Sequence, residues 1–188
     1  MSSANLIEQS DFIVMLGTRI TLDNRTINES VDCAIKNQGA EFIYMHPIDD
    51  VLLEEKYTQF IKYEVGSEEA VVAMLAFYLL EGVTLDNTIK EYLVELDMGY
   101  LSGESSVGEE ECEDIVQKLA NKKSKILIIG SDLYTHERAT NIAKLLGLIN
   151  KYTDFEIIMI PNNSTSQKFE TTMLNSNDIL EEIAEIDS

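Results

Sequence analysis

The sequence predicts an α/β fold, a mainly parallel sheet with helices on both faces. Three observations carry this expectation. Short apolar runs, Phe12–Leu16, Phe42–Met45, Ile126–Ile129 and Phe155–Ile160, lack the polar alternation of a half-exposed strand and suit strands buried on both faces. Between them lie segments whose apolar residues recur at helical spacing, so strands and helices alternate along the chain. Finally, residues 12–47 set against 125–160 at an offset of 113 share Ile13/Ile126, Gly17/Gly130, Arg25/Arg138, Asn28/Asn141, Asn37/Asn150 and Phe42/Phe155. The pattern reads as two Rossmann-like βαβ units, a recurrence of one supersecondary element and not proof of duplication.

Taken in order, residues 1–10 read as a tail, and Phe12–Leu16 as a strand ending on Gly17. A helix follows over 26–38, stopped by Gly39, and leads to the strand Phe42–Met45, which His46-Pro47 ends. Gln59–Tyr63 is a short strand. Ser67 is placed to cap the next helix, with Glu68 and Glu69 in the first turn where the helix dipole favours acids. That helix, Glu68–Leu80, is apolar all round and must be buried between layers or against a further neighbour. Asp86 or Asn87 starts a short amphipathic helix, and 99–108, rich in glycine and serine, reads as a flexible loop. Glu109–Asn121 is a helix with its lysines at the C-terminal end. After Ile126–Ile129 and Gly130, a helix opens near Thr135, with Asp132 or Thr135 available to cap it. Residues 164–188 read as a polar tail with a short acidic helix over 179–186. The α/β domain therefore spans 11–163.

Composition narrows the function. Fourteen basic residues face thirty-four acidic ones, a net charge of -20, which argues against nucleic acid and against an anionic membrane surface. The longest apolar run, Ala70–Leu80, is far shorter than the ~20 residues of a membrane span, and MSSANLIEQS lacks the features of a secretion signal. These features suit a cytoplasmic chain. The two cysteines are too few for an iron–sulfur cluster or a structural zinc. Cys33 is expected as a buried thiol, and Cys112 as a poor nucleophile among glutamates.

In parallel α/β sheets ligands sit beyond the carboxyl ends of the strands. Those ends are Gly17-Thr18-Arg19, His46-Pro47, Gly66-Ser67-Glu68, Gly130-Ser131-Asp132 and Asn162-Asn163-Ser164. Neither glycine turn carries the three glycines of a dinucleotide fingerprint or a Walker lysine, so each glycine serves either a bend or a phosphate. Arg19 is open to pairing with a phosphate or carboxylate, or with Asp23 at the surface. His46 stands where a general base or a capping histidine would stand; His136 reads as a first-turn surface residue. Glutamates 109–111 occupy three successive helical positions and cannot converge on one metal ion. No catalytic constellation emerges, and no metal site.

In wording, Asp11–Pro47, Gln59–Leu80, Lys125–Leu148 and Phe155–Asn163 resemble the molybdopterin oxidoreductase fold, in the version carried by the large peripheral iron–sulfur subunit (the G subunit) of NADH-quinone oxidoreductase, respiratory complex I. The resemblance spans most of 11–165. It implies a pocket for a pterin guanine dinucleotide formed by Gly17, Thr18, Arg19, Gly66, Ser67, Glu68, Gly130, Ser131 and Asp132. Here the pattern departs from the enzymes. A strand end that in them reads Asp-Pro-Arg is His46-Pro47-Ile48, the Pro-Gly-Thr-Asp turn is Val65-Gly66-Ser67-Glu68, and no serine or cysteine metal ligand is identifiable. The resemblance therefore implies a vestigial pocket with no cofactor. It also implies a non-catalytic fragment whose parent holds iron–sulfur clusters elsewhere, with the remainder of its own subunit and the other complex I subunits as partners, on the cytoplasmic side of the inner membrane. Two rivals remain: a fragment of a genuine molybdopterin-dependent oxidoreductase, and a free-standing small-molecule enzyme with a Rossmann-like site.

Overall fold

The computed structural model describes residues 2–161, 163–175 and 180–184. Five strands, β1 (Phe12–Leu16), β2 (Glu41–Met45), β3 (Gln59–Ile61), β4 (Lys125–Ile129) and β5 (Phe155–Met159), form one sheet in the order β3-β2-β1-β4-β5. All four pairings are parallel. The central β1 is buried along its whole length, as a strand covered on both faces must be. Successive side chains leave opposite faces. Phe12, Val14 and Leu16 enter the larger core, whereas Ile13 and Met15 enter the smaller one on the other side.

The smaller core lies under α1 (Ser3–Glu8), α2 (Ile20–Asp23) and α3 (Arg25–Gln38). The larger core gathers α4 (Glu68–Leu79), α5 (Asn87–Glu95), α6 (Met98–Ser105), α7 (Glu109–Lys118), α8 (Ser131–Tyr134), α9 (Ala139–Tyr152) and α10 (Ser164–Leu174). The strand order reverses direction between β1 and β4, so the fold is doubly wound about that pair. The two recurring units lie side by side. Phe12 pairs with Lys125 and Leu16 with Ile129, so the ladder register equals the sequence offset of 113. Asp11 fixes this register, its carboxylate accepting the N–H groups of Lys123 and Ser124 at 2.9–3.1 Å.

Helix α4 is the apolar centre of its layer and needs no neighbour from outside, because α6, α7 and α9 pack on it. Several expectations are corrected. The N-terminal tail contains α1, capped by Ser2 and packed on α3 through the fully buried Ile7. Residues 99–108 are largely helical: Asp97 caps α6, Leu101 anchors it, and Ser105 donates back to the Leu101 carbonyl at 2.7 Å. Residues 164–174 form α10, capped by Asn163 and buried through Phe169 and Met173. The described part of the expected acidic helix, Leu180–Ala184, is irregular; 179, 185 and 186 lie outside the described residues. Cys33 is half-buried, while Cys112 is buried, and burial followed by the surrounding glutamates pushes its thiol up to about 12.

Candidate functional site

The carboxyl ends of β1, β2, β3 and β4 open on one edge of the sheet, and the turns singled out in the sequence converge there. Gly17 leaves β1 at φ +71, a conformation that disfavours side chains, and its N–H donates to the Met45 carbonyl at 3.3 Å. Gly130 leaves β4 in an extended conformation. Its requirement is proximity: a β carbon there would collide with Gly17 O and with Thr18. The two turns are thus in direct contact across the topological switch point. The Gly130 N–H donates to Leu16 O at 2.8 Å, and the Asp132 N–H to Gly17 O at 3.3 Å. Leu133, fully buried, directs its side chain against Gly17, where an added β carbon would meet it.

The rest of the first turn is closed on itself. The Thr18 hydroxyl and the Arg19 N–H both donate to the Asp23 carboxylate, at 2.6 and 2.9 Å. Arg19 therefore meets Asp23 through its backbone and not through a surface ion pair, and its buried Nε makes no hydrogen bond. Ser67 stands at the N-cap of α4, as its position predicts, but its hydroxyl donates to Glu64 O at 2.7 Å instead of capping. Ser131 accepts from the Thr135 hydroxyl. Neither Asp132 nor Thr135 caps α9, which begins after Arg138; the Arg138 N–H is taken by Nδ1 of His136 at 3.0 Å.

Both histidines of the chain arrive at this edge. His46 is 6 % exposed and stacks on Tyr44 at a centroid distance of 5.8 Å. Its Nδ1 lies 2.8 Å from the Ile48 carbonyl oxygen and 3.0 Å from the Ile48 nitrogen, and its Nε2 faces the Asp132 carboxylate at 3.4 Å. His136 is not a surface residue: with Nδ1 engaged, its Nε2 donates to Gly66 O at 3.1 Å and lies 3.5 Å from the Glu68 carboxylate. Glu68 is 4 % exposed and one of its oxygens accepts no hydrogen bond. Burial is the main cause that raises its pKa above the usual carboxylate value, opposed by backbone N–H groups and His136. The Tyr63 hydroxyl is buried and unpaired beside it, its pKa driven upward by burial and then by Glu68 and Asp132. The sequence reading missed Tyr63, because a tyrosine at a strand end gives no signal of its own.

This edge orients two imidazoles against carboxylates, but it offers poor terms to a nucleotide. Among the turn N–H groups that could bind a pyrophosphate, those of Gly130 and Asp132 are spent on Leu16 O and Gly17 O, and that of Arg19 on the Asp23 carboxylate. Asp23, Asp50, Glu68 and Asp132 surround the position with carboxylates, and Asp50 is itself buried and engaged by Thr21 and the Leu52 N–H. The residues present do not fit a pterin dinucleotide. Among the described residues, no group of three or more His, Cys, Asp or Glu side chains is placed to hold a metal ion, and no helix is long and apolar enough to cross a membrane.

No protein-family model and no curated protein matches the sequence. Among solved structures, acetylene hydratase from Pelobacter acetylenicus is similar, with a TM-score of 0.52 at 13% identity over 64% of this chain. The class defined by sheet and layers is a Rossmann-like α/β domain with helices on both faces of a parallel sheet. The likeness is one of fold, and the chain spans 18% of the length of that hydratase.

Proposed function

We propose that this chain is a non-catalytic interaction domain, built on the molybdopterin oxidoreductase fold and belonging to the large peripheral subunit of a complex I-type NADH-quinone oxidoreductase. Its partners on this reading are the remainder of that subunit and the neighbouring subunits of the complex, and electron transfer belongs to iron–sulfur domains elsewhere in the parent. One observation carries the loss of the cofactor: Leu133 and the Asp132 N–H fill the switch point against Gly17, where a dinucleotide of this fold would have to approach the backbone. The carboxylates around it add a repulsive field for phosphate.

A genuine molybdoenzyme fragment remains the second reading, favoured by the unpaired polar atoms of Arg19, Tyr63 and Glu68 at the same edge. Metal analysis and pterin fluorescence of the full-length protein that carries this chain separate the two. The expected result is neither molybdenum nor tungsten in stoichiometric amount; one metal per chain with a pterin overturns the first reading. Affinity purification of that protein from its own cells should bring down NADH-oxidising iron–sulfur subunits, and recovery of the chain without them would end the complex I assignment.

A further inference from the structure

Beyond the pocket edge, the described residues 180–184 lie across α4, α5 and α9 in a way that resembles a bound peptide more than an element of the fold. The segment belongs to no helix or strand, and side chains hold it by its backbone. Asn141, 1 % exposed, accepts the Glu181 N–H at 2.9 Å and donates to the Glu181 carbonyl at 3.1 Å, reading both polar groups of one residue. The Tyr92 hydroxyl donates to the same carbonyl at 3.0 Å, and burial, pushing this phenol up to about 12, keeps it a donor. Arg138 donates to the Glu182 carbonyl at 2.5 Å. The buried carboxylate of Glu69 accepts the Ala184 N–H at 3.2 Å, while its other donors, Arg138 and Asn141, come from the groove itself.

Side-chain selectivity is layered on this backbone grip. Leu180 and Ile183, three positions apart, pack against the larger core. The Glu181 carboxylate lies between two cations, 3.1 Å from Arg138 and 3.5 Å from Lys144. Glu182 contributes only its carbonyl among the described contacts. In a chain of net charge -20, two basic side chains directed at one glutamate form an uncommon local field. A polar clamp on the backbone with apolar seats on either side of an acid is an arrangement by which grooves recognise peptides.

We propose that the groove between α4, α5 and α9 is a docking site for an irregular Leu-Glu-x-Ile peptide, occupied here by the chain's own Leu180–Ile183. The groove is a property of the folded surface, and it stands whether or not the complex I assignment above holds. A peptide of the same pattern from a partner exchanges with the tethered one when the latter is released.

The test uses the full chain carrying a protease recognition sequence inserted between 175 and 180. A fluorescein-labelled synthetic peptide of residues 178–186 is titrated before and after cleavage, with circular dichroism recorded alongside. The expected result is saturable binding by the cleaved protein, and at least tenfold weaker binding by the uncleaved chain. In the cleaved protein, Asn141→Leu and a peptide with Glu181→Lys should each weaken binding tenfold or more, the second effect shrinking at high salt. Absence of saturable binding by a cleaved protein that stays folded overturns the proposal. So does loss of the folded spectrum on cleavage, since the segment would then be part of the fold and not a ligand. Equal binding of the native peptide and a scrambled one would also overturn it.

Discussion

The two βαβ units at the centre of the sheet invite comparison. Each has a five-residue strand, a glycine turn and a fourteen-residue helix, and the two run in register at the same offset that aligns their sequences. They nevertheless differ in what they bury. Helix α3 buries Ile27, Ser30, Val31 and Ala34, whereas α9 buries eight residues between the sheet, α4 and α10. Their turns differ in role as well. The first, at Gly17, receives; the second, at Gly130, fills it with Leu133 and Asp132. A repeated local pattern thus yields one crevice and one plug, and an empty cofactor cradle on both sides would have required neither turn to reach across.

The sharpest way to break this comparison is at the plug's own glycine. Gly130→Val drives a branched side chain into the Gly17 carbonyl and should cost about 4 kcal/mol or more, enough to prevent folding of a marginal domain; a urea midpoint close to the parent's would refute the tight contact. Leu133→Ala leaves the backbone intact but removes the filling, and a loss of roughly 2–5 kcal/mol is expected in denaturant unfolding. Because the Gly130, Asp132 and Arg19 N–H groups stay engaged, that variant should gain no binding of guanine nucleotide by calorimetry. Gly17→Ala should cost less, about 1–3 kcal/mol, since the strained φ is unavoidable but the clash is with the end of a movable leucine side chain.

Smaller effects sharpen the same contrast. Glu68 has its folded pKa raised from the ordinary 4.5, so its stabilising contribution is complete below 4.5 and is lost as pH rises through the folded value. At pH 7 Glu68→Gln should therefore be at least as stable as the parent, and its relative advantage should shrink as the pH falls towards 4.5; thermal melts across pH 4–8 decide it. At the foot of the scale, α3 has a local cap, the Asn24 side chain accepting the Ile27 N–H at 3.1 Å, while α9 begins without a side-chain cap. Asn24→Ala should cost about 1 kcal/mol by chemical denaturation.

Much of this was readable along the chain. The apolar strands announced burial on both faces, and the glycine, capping and dipole signals located α3, α4, α5 and α7. Helices α6 and α10 were hidden because glycine, serine and threonine dominate them, and both form through caps at Asp97 and Asn163 and through a few buried anchors. At the candidate site, the turns were legible as strand ends, but their occupancy was not. That Leu133 would point at Gly17 depends on the pairing of β1 with β4, more than a hundred residues apart. The burial of His136 and of Tyr63 depends likewise on α4 arriving beside them.

By itself, then, the sequence determined the α/β class, the two units and the positions of their turns, because periodicity and turn chemistry act over a few residues. Tertiary structure alone decided whether the crevice between the units is open, where the histidines rest, and where residues 180–184 lie. Those outcomes depend on contacts between distant segments: a glycine that must lie against another turn's carbonyl, and an asparagine on α9 that takes hold of a backbone forty residues away.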